Sequence, residues 1–196
     1  SKSVKETDPT MALHVIPFNM PEPMEIPAHI VEQLRAMPAA DAIAKGMGLL
    51  MQIEAADIML FEQVDASGLL QLESVMGKQG PLPDVAADLR QEPFYGQVCT
   101  AASGLAGQAV DQAQSLLVMG QLAAGEASAM PPRLAQHLIG DNGNVGFLYV
   151  LRLTDDSGTC KGVITLIRSA SEGPLNHEQP NITEGMRRLM SDIIQQ

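Results

Sequence analysis

Apolar residues recur every three or four positions near both ends of the chain, which is the spacing of amphipathic helices. The first such stretch begins at Ala28 and is interrupted by Pro38, whose fixed φ suits the first turn of a second helix. The apolar stripe of that second helix runs from Ile43 to Met51, and a third stripe lies within Glu178–Gln196. We therefore predict two helices before the central part of the chain and one helix at its end.

Segments of alternating polarity between these helices predict two β-hairpins. Asp57–Val64 and Leu69–Met76 flank a turn made of Asp, Ala, Ser and Gly, which are residues that favour turns. Val145–Leu153 and Lys161–Arg168 flank a similar turn of Asp, Ser and Gly. The two hairpins account for four strands of the predicted sheet.

The middle of the chain has weaker signals. Asp84–Arg90 and Pro131–Ile139 have the pattern of short helices, and Ser115–Met119 is a short apolar strand candidate. Helices at both ends of the chain with two hairpins between them predict an α+β fold with a mainly antiparallel sheet.

The length of 196 residues fits one domain. Residues 17–27 contain four prolines, which is too many for a helix. We therefore expect residues 1–27 to be an irregular lead-in and residues 28–196 to form a single domain that includes the terminal helices.

Charge and composition exclude several classes of protein. The chain has 12 Lys and Arg against 23 Asp and Glu, a formal net charge of −11, which argues against nucleic acid and anionic membrane surfaces as partners. Two cysteines cannot form a disulfide framework, and no apolar run approaches the roughly 20 residues of a membrane span. We expect a protein of the cytoplasm.

Four stretches resemble the GAF domain, a small-molecule sensory family related to PAS domains. Ala56–Val64 with Leu69–Met76 is similar to the first hairpin of the family, and Ser103–Val110 (SGLAGQAV) resembles its Gly-Leu-x-Gly turn and short helix. Lys161–Arg168 is similar to the last strand, and Leu175–Glu178 resembles the start of the final helix. The resemblance covers about residues 39–196.

This resemblance implies a central sheet of about six antiparallel strands, terminal helices packed on one face, and a pocket-forming helix and loop insertion on the other. It also implies a sensory or regulatory domain that binds a small molecule and signals through a helical homodimer. Such a domain is expected in a bacterial signal-transduction protein, with an output domain in a longer chain. No catalytic constellation is recognisable, so we do not expect an enzyme.

The expected pocket walls come from the middle insertion and the strands that face it. Arg133 and Arg152 are the cations nearest to this region and suit an anionic ligand. The complete set of expected ligand-binding residues is Phe94, Tyr95, Leu105, Leu117, Met119, Arg133, Leu134, His137, Leu138, Tyr149 and Arg152.

The identity of the ligand and of any cofactor stays open. The Asn-Lys pair of cyclic-nucleotide GAF domains is absent, and neither cysteine has the adjacent His of bilin-binding relatives. His137 is the best placed axial ligand for a haem, although a histidine with an ordinary structural role is the simpler interpretation. The histidines do not have the spacing of a metal site.

Two alternatives to ligand sensing stay open. One is a GAF-like dimerisation scaffold without a ligand. The other is a thiol-dependent methionine sulfoxide reductase, because Tyr95–Ala102 around Cys99 is faintly similar to free-methionine sulfoxide reductases. That chemistry requires a resolving thiol, and Cys160 is the only other cysteine.

Overall fold

The computed structural model describes residues 13–17, 22–91, 109–110, 113, 115–120, 145–169 and 180–196. These residues form four helices and seven strands. The helices are α1 (Ala28–Arg35), α2 (Ala39–Glu54), α3 (Pro83–Gln91) and α4 (Pro180–Ile194). The strands are β1 (Leu13–Pro17), β2 (Ile58–Val64), β3 (Leu70–Gly77), β4 (Gly80–Pro81), β5 (Leu116–Gly120), β6 (Val145–Thr154) and β7 (Cys160–Ser169).

All seven strands belong to one antiparallel sheet with the order β1-β5-β6-β7-β2-β3-β4. Both predicted hairpins form, as β2–β3 and β6–β7, and the α+β class is confirmed. Within the described ranges, no helix has both the length and the apolar character to cross a membrane.

The described residues form seven strands, where the resemblance implied about six, and the sequence patterns did not indicate β1 or β4. β1 also corrects the expectation that the lead-in, residues 1–27, is irregular. Its single proline, Pro17, is the last residue of an edge strand, where a missing N–H does not interrupt the ladder. β4 has only two residues, so no alternation could have revealed it.

The terminal helices pack on one face of the sheet, as expected. One cluster of buried residues joins α1, α2 and α4 to β2, β3, β6 and β7. The buried members from the helices and from the segment after α2 are Leu34, Ala42, Ile43, Met47, Leu50, Met51, Ala56, Met186, Leu189, Met190 and Ile193. The members from the strands are Met59, Phe61, Met76, Tyr149, Leu151, Leu153, Ile164 and Leu166. We call this side of the sheet the helix face.

A β-bulge in β3 changes the alternation that its sequence suggests. Phe61 pairs with Ser74 and Glu62 pairs with Leu72, so Glu73 is an extra residue in β3. The two carbonyl groups at this bulge, of Leu72 and Glu73, accept hydrogen bonds of 3.0 and 2.7 Å from the Arg90 guanidinium of α3. The Arg90 side chain thus covers part of the outer edge of β3.

Helix α4 covers a similar gap in the ladder at β6. β5 pairs with β6 only as far as Val150, so the N–H groups of Arg152 and Thr154 and the Arg152 carbonyl face no strand. The Arg152 N–H donates to Ser115 Oγ, and the Thr154 N–H donates to Ser191 Oγ. Arg187 donates to the Arg152 carbonyl at 2.8 Å. Ser115 and two side chains of α4 therefore replace the hydrogen bonds of the missing strand here.

Glu184, which is fully buried, holds Arg187 in this position. Its two carboxylate oxygens accept from Arg187 Nη2 and Nε at 2.9 and 2.8 Å, and one of them also accepts from Arg188 Nε at 3.0 Å. The forked geometry of Arg187 suits a carboxylate and leaves its remaining nitrogen free to reach the sheet.

Candidate functional site

Buried polar side chains lie on the face of the sheet opposite the terminal helices. Phe61, Ile164 and Leu166 belong to the helix-face core. Glu62 directly follows the first of them, and Thr165 lies between the other two. Because successive strand residues point to opposite sides, Glu62 and Thr165 project away from the helices. They are only 2% and 8% exposed. We call this side of the sheet the insertion face.

The strand register brings groups of opposite charge into one row on the insertion face. Val163 of β7 pairs with Glu62 of β2 on one side and with Arg152 of β6 on the other. With neighbouring strands about 4.8 Å apart, the backbones of Glu62 and Arg152 are separated by about 10 Å. That distance is comparable to the length of a small polar molecule.

Cys160 lies near the Arg152 end of this row. The charge of Arg152 acts on the thiol, and the thiol lies near the Gly162 carbonyl, with Sγ and oxygen 3.2 Å apart. Burial raises the pKa of the Cys160 thiol, and the nearby Arg152 opposes this only in part. The thiol is therefore protonated at neutral pH and is a poor nucleophile.

The described residues include four of the expected ligand-binding residues. Arg152 is on the insertion face, since it lies between Leu151 and Leu153 of the helix-face core. Leu117 and Met119 lie in β5, in register with Tyr149 and Phe147 of β6. The expected residues that lie outside the described part of the chain are Phe94, Tyr95, Leu105, Arg133, Leu134, His137 and Leu138, and Cys99 lies outside it as well.

Tyr149 corrects one expectation, because it lies on the helix face and not beside the pocket. It is 1% exposed and shares the core with Leu151 and Leu153, the residues two and four positions further along β6. Burial, reinforced by the nearby charge of Glu54, raises the pKa of Tyr149. The sequence alone does not reveal which face it occupies, since β6 is apolar on both sides.

Glu62, Thr165 and Ser115 are not among the ligand-binding residues expected from the sequence. The signal for Glu62 was nevertheless present, because Ile58, Leu60 and Glu62 share one face by alternation and the first two are apolar. A glutamate on an apolar strand face indicates a buried carboxylate, which requires polar surroundings. Ser115 is buried and carries no comparable pattern. In the described part of the chain, no group of three His, Cys, Asp or Glu residues could hold a metal ion.

A second concave surface lies between the terminal helices. Residues 22–27 cross α4, where the Met24 N–H donates to the Asn181 carbonyl at 2.8 Å and the Met24 carbonyl lies directly against Gly185. The resulting groove has a volume of about 560 Å³ and is bordered by Val31, Arg35 and Asp192 as well as by Met24, which is 50% exposed. We call it the helix groove.

Comparison with solved structures identifies the architecture. The GAF domain from Acinetobacter phosphoenolpyruvate-protein phosphotransferase superposes with a TM-score of 0.54 and 12% identity, over 85% of this chain and 89% of that chain. The GAF domain/HD domain protein from Geobacter sulfurreducens gives a TM-score of 0.53 and 16% identity, over 84% of this chain and 94% of the other. No protein-family model and no curated protein matches the sequence.

These superpositions define the class of the fold as α+β with an antiparallel sheet and helices at both termini. More particularly, the chain has a GAF-like fold, as its sequence motifs suggested.

Proposed function

We propose that this chain is a sensory or regulatory domain that binds a small polar molecule on the insertion face and signals through its terminal helices. The observation that carries the proposal is the burial of Glu62 and Thr165 on this face. Ligand sites combine mostly apolar walls with a few buried polar groups that orient the ligand. Val150 and Val163 supply apolar surface beside these two side chains.

The charges on this face favour a particular chemistry for the ligand. A carboxylate such as Glu62 accepts hydrogen bonds, and an Arg152 guanidinium donates them to an anionic or carbonyl group. A molecule with a donor or cationic group at one end and an anionic group at the other matches both. This adds a cationic end to the anionic ligand that the sequence suggested.

The signal would pass through α1, α2 and α4 to a second copy of the chain and to an output domain. The helix groove supports a homodimer, because the exposed Met24 lies there beside an ion pair of Arg35 and Asp192 (3.6 Å) whose side chains are about half exposed. The two structural neighbours are described as a GAF domain of a phosphotransferase and a GAF domain/HD domain protein, so GAF domains occur there within larger proteins. We infer a similar arrangement for this domain.

A dimerisation scaffold without a ligand is the second candidate, and the helix groove favours it equally. The reductase alternative is less well supported, because a buried thiol of raised pKa at Cys160 is a poor resolving group.

Native and denaturing mass spectrometry of the purified chain distinguish the sensor from the scaffold. We expect a dimer with excess mass that disappears on denaturation and that is lost or reduced in Glu62→Gln. Gln63→Ala is the matched control, because Gln63 is the exposed neighbour of Glu62 in β2 and should leave the excess mass unchanged. If adding small zwitterionic molecules to a ligand-free dimer produces no bound species, the scaffold is favoured, and a monomer would contradict the dimer.

A further inference from the structure

The last residue of α2 is a glutamate buried between two terminal helices and the sheet. Glu54 is 4% exposed, and its Oε1 accepts a hydrogen bond from the hydroxyl of Thr183, a fully buried residue of α4. The other carboxyl oxygen, Oε2, is also buried and has no hydrogen-bond partner among the residues that the structure describes. Leaving a charged oxygen in this state is costly, whereas a neutral carboxyl group is far cheaper to bury.

The position of Glu54 in its helix also disfavours a negative charge. It is the last residue of α2, where the unpaired carbonyl groups already carry a partial negative charge. A carboxylate is stabilised at the start of a helix and destabilised at its end.

Two titratable groups of the sheet face Glu54 from the described elements. Arg168 of β7 favours the ionised carboxylate, whereas Tyr149 of β6 carries no charge at physiological pH, and burial raises its pKa further above that range. From α4, Thr183 supplies a hydroxyl donor and no charge. Burial has the largest effect, and it raises the pKa of Glu54 against the opposing influence of Thr183 and Arg168.

We propose that Glu54 is a proton-linked contact between α2 and α4, which holds the two helices together when neutral and weakens their packing when it ionises. The proposal concerns the helix face and does not depend on a ligand of the insertion face. Since α2 and α4 are two of the three terminal helices, such a contact would make the relative position of these helices sensitive to pH.

The sign of the pH dependence follows from linkage. A carboxyl group whose pKa is higher in the folded than in the unfolded chain stabilises the fold most at low pH, and this contribution is lost as pH rises through the folded pKa. Glu54→Gln keeps the shape and the acceptor for Thr183 but cannot ionise. The variant should therefore gain thermal stability relative to the parent as pH rises.

The test is the melting temperature of the parent and of Glu54→Gln from pH 5 to pH 9. We expect the melting temperature of Glu54→Gln, relative to that of the parent, to rise with pH. The total rise should be roughly 3–5 °C for each factor of ten by which Glu54 binds its proton more tightly in the folded than in the unfolded chain. Glu32→Gln is the matched control, because Glu32 is an exposed glutamate of α1, and its difference should stay constant. A constant or a decreasing difference for Glu54→Gln overturns the proposal.

Two variants of Thr183 keep the proposal testable if Glu54→Gln does not fold. Thr183→Val removes the hydroxyl that favours the ionised carboxylate, so the pH-dependent loss of stability should be larger and should continue to a higher pH. Thr183→Ser retains the donor and should resemble the parent. Identical pH profiles for the valine and serine variants would contradict the assigned contact.

Discussion

Gly46 of α2 lies directly against the side chain of Met190 in α4, and a Cβ atom at Gly46 would be 2.9 Å from the Met190 sulfur. Met190 is fully buried and so has little room to move. Gly48, one half-turn further along α2, has nothing within 4 Å of the position of its missing Cβ atom. A side chain at position 46 would therefore press against α4, whereas a side chain at position 48 would enter open space.

We predict opposite effects for Gly46→Ala and Gly48→Ala. Alanine at position 48 should stabilise the protein by about 1 kcal/mol, because alanine favours a helix interior over glycine. At position 46 the same gain is offset by overpacking against Met190, which costs about 1–3 kcal/mol. Urea denaturation of both variants measures the difference. Equal stabilisation by the two substitutions would show that α2 and α4 do not approach closely here.

The residue that follows the last residue of α2 is one at which we expect glycine to be more stable than alanine. Ala55 has φ 50° and ψ 42°, a left-handed conformation that costs an alanine roughly 1 kcal/mol and a glycine almost nothing. Since Ala55 is exposed, Ala55→Gly removes little packing and should stabilise the protein by about 0.5–1 kcal/mol. Calorimetry at neutral pH measures this gain. Ala40→Gly, in the first turn of the same helix, should instead be destabilising.

The two arginines that contact Glu184 should contribute unequally to the stability of the fold. Removing Arg187 with Arg187→Met leaves Glu184 without its main partner and the Arg152 carbonyl without its donor, which should cost about 3 kcal/mol. Arg188 contacts the same carboxylate, but its side chain is 60% exposed, so Arg188→Met should cost at most about 1 kcal/mol. Chemical denaturation compares the two. A cost for Arg188→Met equal to that for Arg187→Met would contradict the arrangement.

The two hairpin turns predict a specific pH dependence. Asp65 accepts from the N–H groups of Ser67 and Leu69, and Asp155 accepts in the same pattern from those of Ser157 and Thr159. Hydrogen bonds lower the pKa of both carboxyl groups: the Leu69 N–H contributes most at Asp65, and the Ser157 hydroxyl, which also donates to Asp155, contributes most there.

A lowered pKa in the folded state means that the carboxylates stabilise the fold above the ordinary pKa of aspartate, and that this stabilisation is lost as pH falls through the folded pKa. Asp65→Asn and Asp155→Asn should therefore reduce the melting temperature at pH 7 and matter progressively less below about pH 4. Asp156→Asn is the control, since it is the carboxylate of Asp155 that accepts the hydrogen bonds of that turn. An effect of the first two variants that does not change with pH would contradict the assignment.

Local patterns were sufficient to predict the main elements. The helical spacing near both ends and the alternation around the Asp-x-Ser-Gly turns placed α1, α2, α4 and both hairpins correctly, because these signals come from residues close in sequence. The packing of the terminal helices on one face followed from the family resemblance. By contrast, β1 forms by pairing with β5, which is distant along the chain, and β4 is too short to show a pattern.

The side of the sheet that each residue occupies could be read only in part. Glu62 was recognisable by alternation, but β6 is apolar on both faces, so its sequence does not show that Tyr149 faces the helices and that Arg152 points to the opposite side of the sheet. The bulge at Glu73 further places Leu70, Leu72 and Val75 on one face, although simple alternation would separate Val75 from the others.

The sequence by itself determined the fold class, the principal helices and hairpins, and the acidic character of the surface, since periodicity and charge act locally or sum over the whole chain. Only the tertiary structure decided that Glu54 meets Thr183, that Arg187 reaches the Arg152 carbonyl, and that Glu62 and Arg152 share a row. The partners in each of these relationships lie at least 35 residues apart, and their meeting depends on strand register and helix docking, which no single segment specifies.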